Sequence, residues 1–176
     1  IIAYALHHRE PLIFVGRTDE EKLATDLTLN GWCDASHSNF TAMTHDDPIP
    51  HPAMLSYCGS LIRLHLCLLL WKSFMPKTVA PSTRDSECMA TARTIRELIS
   101  MRIMLDELGF TQTSPTPVYT DSSAVEATVK SDKIQPDSRW MGIRIAWIRQ
   151  CVRDMLVDLQ WRAGTEQLAD VLTKVL

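Results

Sequence analysis

At 176 residues, the chain suits one domain with a short appendage and is long enough to bury a core. Its balance of 45% apolar and 22% charged residues argues against general disorder. The formal net charge of −3 excludes binding to phosphate polymers through bulk basicity, so any such binding needs a local patch, a divalent metal or a neighbouring domain. Cys33, Cys58, Cys67, Cys88 and Cys151 are odd in number and form no Cys-x-x-Cys pair, which fits reduced intracellular thiols rather than a disulfide framework or zinc knuckle. No basic start followed by an apolar block marks a signal peptide. The apolar run Leu61 to Trp71 is broken by Arg63 and His65, and crossing a bilayer takes about 20 residues, so the chain reads as soluble with no membrane partner. It starts without Met, as a piece of a longer polypeptide would.

In chain order, Ile1 to His8 reads as the end of a helix, Pro11 to Val15 as a short strand, and the polar stretch Arg17 to Thr28 as a linker. Leu29 to Ala35 is the first core strand, with Leu29, Gly31 and Cys33 on one side and Trp32 and Asp34 on the other. Ser36 to Pro52, with its prolines, adjacent aspartates and histidines, is an exposed loop. Strands near Leu55–Leu64 and Cys67–Phe74 form a hairpin, although no Asn-Gly or Asp-Gly turn marks it. Ser82 or Thr83 caps a helix running to about Leu108, with Gly109 as its stop and Ala92, Ile95, Ile99, Ile103 and Leu105 as its apolar face. Val118 to Asp121 is a strand, and Ser123 to Lys130 a short helix. Asp137 to Met155 is a further helix, on which Met141, Ile145, Ile148, Val152 and Met155 recur at alternating steps. Leu156 to Trp161 alternates like a fifth strand, and Thr165 caps a final helix carrying Asp170.

This order makes a mixed sheet, an antiparallel meander of three strands followed by strands joined through helical crossovers. Asp34 ends the first strand and Asp121 ends the fourth, and open α/β sheets place ligands at the carboxyl ends of strands. Glu87 sits early in the long helix laid over them, and Asp170 closes the site from the last. Carboxylates within about 4 Å repel by roughly 4 kcal/mol per pair at an effective dielectric of about 20, so such a cluster needs cations. Oxygen-only ligation points to Mg²⁺ or Mn²⁺ rather than zinc. Two such ions about 3.5–4 Å apart suit phosphodiester hydrolysis.

Five stretches carry a resemblance: Gly31-Trp32-Cys33-Asp34-Ala35, Trp71-Lys72-Ser73, Val79 through Ala90 with Ser82-Thr83-Arg84-Asp85-Ser86-Glu87 at its centre, Tyr119-Thr120-Asp121-Ser122-Ser123-Ala124, and Gln167-Leu168-Ala169-Asp170-Val171-Leu172-Thr173-Lys174. Together they resemble the ribonuclease H domain of copia-type LTR retrotransposon polyproteins, whose Q-L-A-D-I-L-T-K ending is the most specific match. The resemblance implies an RNase H-like α/β fold over 29–176, with a mixed five-stranded sheet flanked by helices. Residues 1–28 would be the connector after an upstream reverse transcriptase of the same polyprotein. It further implies that Asp34, Glu87, Asp121 and Asp170 are the catalytic metal ligands, holding two Mg²⁺ (or Mn²⁺) ions. The activity implied is an endonuclease that cuts the RNA of RNA–DNA hybrids, inside the cell. Ser122, Arg84 and Lys72, within the matching stretches, are candidate substrate contacts.

The chain departs from the pattern at Arg139-Trp140-Met141-Gly142-Ile143, at Ser36 where a second aspartate is common, and at His45-Asp46-Asp47-Pro48-Ile49-Pro50. These departures spare the four acids. A rival is a decayed or domesticated copy that binds nucleic acid or plays a structural role without catalysis. An integrase or transposase core would carry its Glu after the second Asp, whereas Glu87 falls between the first two. His37, His45 and His51 match no zinc spacing and read as loop polarity. Arg139, Arg144, Arg149 and Arg153 read equally as a basic track or a solvated helix face. Cys88, Cys151, Trp140, Trp147 and Trp161 read as core.

Overall fold

In a computed structural model, residues 28–37, 55–65, 67–131 and 141–174 are described. The expectations for residues 1–27, most of the loop after Ser36, His45, His51, Arg139 and Trp140 lie outside them. Five strands form one sheet: β1 (Leu29–Ser36), β2 (Tyr57–Leu64), β3 (Cys67–Phe74), β4 (Thr116–Thr120) and β5 (Val157–Trp161), in the order β3-β2-β1-β4-β5. β1, β2 and β3 are the expected antiparallel meander, and β4 and β5 join β1 in parallel. The hairpin turns through His65, whose φ of 54° is the left-handed conformation that a missing Asn-Gly would have supplied.

Among the described residues three helices connect the strands: α1 (Thr83–Glu107), α2 (Ser123–Lys130) and α3 (Gly142–Arg153). α1 packs on β1, β2 and β4. Ser82 caps it, and Gly109 ends it at φ 84° while the Phe110 N–H bonds the Leu105 carbonyl at 2.7 Å. The face of α1 turned to the sheet is more polar than the sequence suggests. Thr91 and Thr94 are fully buried there, Thr94 bonded to the Ser60 hydroxyl at 2.9 Å, while Ile103 is 57% exposed. Gly31 lets α1 approach β1, since a Cβ there would lie 2.6 Å from Leu98 Cδ1. The core joins the helix-facing residues of all five strands, among them Leu29, Cys33, Ile62, Val118 and Leu159, to Ile95, Leu98, Ile145 and Ile148.

Four expectations need correction. α3 ends at Arg153, because Met155 adopts φ 56° and the Leu156 N–H closes back on the Cys151 carbonyl; Met155 is exposed instead of completing the apolar face. Arg149 is buried and donates to the Thr128 carbonyl at 2.7 Å, so it belongs to neither a basic track nor a solvated face. Trp161 is exposed, not core, because it stands on edge strand β5. The final helix is two separate 3-10 turns, Gly164–Glu166 and Asp170–Leu172. Cys88 and Cys151 are buried as expected. Among the described residues no helix is long and apolar enough to cross a membrane.

Candidate metal centre

Parallel pairing of β1 and β4 aligns Gly31 with Val118 and Trp32 with Tyr119. Carried two residues further, the same register brings Asp34 alongside Asp121 at the carboxyl ends of both strands. Glu87 reaches them from the first turns of α1, whose start is fixed where the Ser82 hydroxyl accepts the Asp85 N–H at 3.2 Å. One carboxylate oxygen each from Asp34, Glu87 and Asp121 lie within 4.8 Å of one another. Asp34 and Glu87 are buried and Asp121 is half-buried. The turn beyond Asp121 is fastened twice: Ser122 caps α2 by accepting the Val125 N–H, and the Trp161 indole N–H donates to the Asp121 carbonyl at 2.9 Å.

The electrostatics are those of an anion cage. Burial, followed by the charges of Asp34 and Asp121, pushes the Glu87 carboxyl up to about 9. Burial raises Asp34 as well, with Asp121 and Asp170 adding to it and the Thr173 hydroxyl opposing. Asp121 is raised by burial and then by Asp170. One Glu87 oxygen accepts the Ala35 N–H at 3.2 Å, while the other is buried with no hydrogen-bond partner among the described residues. A buried carboxylate oxygen left unmatched beside two more carboxylates fits a hard cation, and the all-oxygen donor set fits Mg²⁺ or Mn²⁺.

Asp170 takes a different place from the other three. It stands beside the cluster, close enough to act on Asp34 and Asp121 through its charge, and pairs with Lys174. The convergent set is therefore three acids with a fourth adjacent, rather than four together. The chain holds the Asp170 turn in position with residues that sequence reading gave no role. Gln167 donates to the Cys33 carbonyl at 2.9 Å, while the Thr173 hydroxyl bridges Asp34 and the Asp170 carbonyl. Gly59, paired with Asp34, leaves room for this turn: a Cβ there would lie 2.9 Å from both the Ala169 carbonyl oxygen and Leu172 Cβ. Gln167 and Thr173 lie in the C-terminal motif, so the signal was present in that block. Gly59 left none beyond its being a glycine in a strand.

The candidate substrate contacts fare unequally. Ser122 sits at the site as the cap of α2. Arg84 lines a small pocket with Cys88, Val125, Thr128, Val129 and Ile145. Lys72 pairs with Ser60, whose hydroxyl bonds Thr94 of α1, so Lys72 lies on the helix side of the sheet and Asp34 on the other.

No family model matches the chain. Over 106 residues it is 33% identical to the retrovirus-related Pol polyprotein from transposon TNT 1-94 of Nicotiana tabacum, a match that spans 60% of this chain and 8% of that polyprotein's length. The fold is that of ribonuclease H. It is similar to the N-terminal RNase H domain of a Mycobacterium tuberculosis protein (TM-score 0.54, 12% identity, 84% of this chain and 91% of that one). A second likeness is to LC11-RNase H1, solved in complex with an RNA/DNA hybrid (TM-score 0.55, 12% identity, 82% and 93%). A third is to the protease-reverse transcriptase of prototype foamy virus (TM-score 0.53, 14% identity, 83% of this chain and 20% of that one). These findings agree with the resemblance drawn from the motifs, an RNase H domain of a retrotransposon polyprotein.

Proposed function

We propose that the chain is a metal-dependent endonuclease that hydrolyses the RNA strand of RNA–DNA hybrids during reverse transcription of a retroelement. The observation that carries this reading is the convergence of Asp34, Glu87 and Asp121 at the strand ends of an RNase H fold. These three, with Asp170 beside them, would hold two Mg²⁺ or Mn²⁺ ions. Bound there, such ions supply an activated water and charge stabilisation at the leaving oxygen.

The chain's own residues prepare that site. The Thr173 hydroxyl and the Ala35 N–H each hold one carboxylate oxygen, of Asp34 and Glu87, and the second oxygen of Glu87 is left without a hydrogen-bond partner among the described residues. Trp161 and Ser122 fix the backbone that follows the Asp121 side chain. Hydrolysis joins the water oxygen to phosphorus and breaks the bond to the 3′ oxygen, leaving 3′-hydroxyl and 5′-phosphate ends. Recognition would rest on duplex shape and 2′-hydroxyls, which distinguish RNA from DNA without reading sequence. In this reading residues 29–176 are the nuclease domain and 1–28 lead from an upstream reverse transcriptase.

The test is incubation of the chain with a labelled RNA–DNA hybrid and Mg²⁺, then Mn²⁺, beside Asp121→Asn. Metal-dependent cleavage of the RNA strand that is lost in the variant is the expected result. A folded wild-type chain that cuts with neither ion sinks the reading and favours a binding or structural role.

A further inference from the structure

We infer that Arg162 is a substrate-contacting residue, a phosphate clamp held beside the carboxylate cluster by the ring of Tyr119. The inference rests on the hybrid-cleaving reading above and deepens it.

A cluster of carboxylates repels the polyanion it must cut, and the chain as a whole carries a formal charge of −3. A cation of the chain beside the site would add to the bound metal in meeting the phosphate backbone. Paired strand residues point to the same sheet face, so Trp32, Tyr119 and Gln160 share a face through their pairings, and Asp34 joins them by alternation along β1. Arg162 lies two residues beyond Gln160 and is put on that face as well. Its backbone N–H donates to the Thr120 carbonyl at 2.8 Å, which keeps it level with Asp121.

From there the guanidinium folds back over the Tyr119 ring, 5.0 Å from its centroid. Tyr119 is itself braced by Trp32, the two ring centroids being 4.3 Å apart. Tyr119 precedes Asp121 by two residues, roughly 7 Å along a strand, so the ring that carries the guanidinium is the next side chain to Asp121 on that face. Arg162 is exposed, and among the described residues its guanidinium forms no ion pair. Lys174, by contrast, is committed to Asp170. An arginine pre-oriented by an aromatic face, with its charge open to solvent, is suited to a phosphate oxygen, since little of its freedom remains to be lost on contact.

The experiment is steady-state cleavage of a labelled hybrid by wild type, Arg162→Ala, Arg162→Gln and Arg162→Lys over a range of KCl concentrations, with thermal midpoints measured alongside. For Arg162→Ala we expect KM to rise about tenfold or more, as loss of a charge-assisted hydrogen bond gives, with kcat within about twofold. The slope of log kcat/KM against log salt should weaken by roughly 0.7–0.9, the share of one phosphate contact. Arg162→Lys should fall between, because an ammonium keeps the charge but loses the planar fork. If Arg162→Ala lowers the thermal midpoint, Arg162→Gln, which keeps most of the stem over Tyr119, decides by the same two readings. Unchanged KM and salt slope in a wild-type background that cuts overturn the clamp alone. A wild-type chain that does not cut at all overturns the nuclease reading and the clamp with it.

Discussion

Glu87 concentrates the conflict between stability and function in one side chain. Its carboxyl, ordinarily near 4.5, is pushed to about 9 by burial and by the neighbouring acids. A raised folded-state value means that, in metal-free protein, the favourable contribution of protonated Glu87 is fully present below about 4.5 and is lost as pH rises through about 9. Asp34 and Asp121, also raised, act in the same direction. The metal-free thermal midpoint should therefore fall as pH rises across that window, and Glu87→Gln should flatten the fall. At the alkaline end the variant should melt about 4–8 °C higher than wild type, the shift that about 2 kcal/mol gives in a chain of this size. It should also lose cleavage. Equal midpoints of the two proteins at high pH would show that Glu87 carries no such burden. Thr173→Val isolates the opposite influence. The hydroxyl it removes lowers the Asp34 carboxyl, so the acid limb of the pH–rate profile should move to higher pH. An acid limb that stays in place would separate Thr173 from the ionisation of Asp34.

At the scale of elements, the site depends on how closely the C-terminal turn lies on β2. Gly59→Ala places a Cβ against the Ala169 carbonyl and Leu172, a backbone contact that cannot rotate away. The expected cost is about 1–3 kcal/mol in stability, as overpacking generally costs. Cleavage should fall at least tenfold, because Thr173 and Asp170 shift with the turn. Gly31→Ala meets mainly the flexible end of Leu98 and should cost stability while sparing activity relative to Gly59→Ala. Equal activity loss in the two variants, measured at a temperature where both are folded, would contradict this assignment. The same turn marks where sequence reading reached its limit. Strand alternation around Asp34 and Asp121 and the serine cap of α1 are local signals, and they are legible in the sequence. Gln167 to Lys174 carries helix-favouring residues, yet Gln167 spends its side chain on the Cys33 carbonyl, 134 positions away in sequence, and the segment settles into a single 3-10 turn. Thr91 and Thr94 join the core for a like reason. Their hydroxyls are satisfied by the Glu87 carbonyl and by Ser60, partners that periodicity does not reveal. Ile103 and Met155 are exposed because the apolar period outruns the surface that covers it.

For the molecule as a whole, folding brings buried acids together, and a bound cation is the natural means of relieving them. Ligation by ionised carboxylates links metal binding to folding, since the unfolded chain offers no preformed site. In thermal melts near neutral pH, Mg²⁺ should raise the midpoint progressively with concentration. At about 100 times the dissociation constant the gain corresponds to roughly 2.7 kcal/mol, or about 5–11 °C at about 2–4 °C per kcal/mol for a chain of this size. Chelation should reverse it. Simple screening of a chain with net charge −3 could also raise the midpoint, so the comparison must be made at constant ionic strength and against Asp121→Asn. That variant removes a cluster charge and a ligand together. It should start from a higher metal-free midpoint than wild type and respond to Mg²⁺ far less. A response of equal size in both proteins would mean that the ion acts on the general surface and not at the strand ends. A response confined to wild type ties the cation to the same three carboxylates that the parallel register of β1 and β4 and the start of α1 bring together.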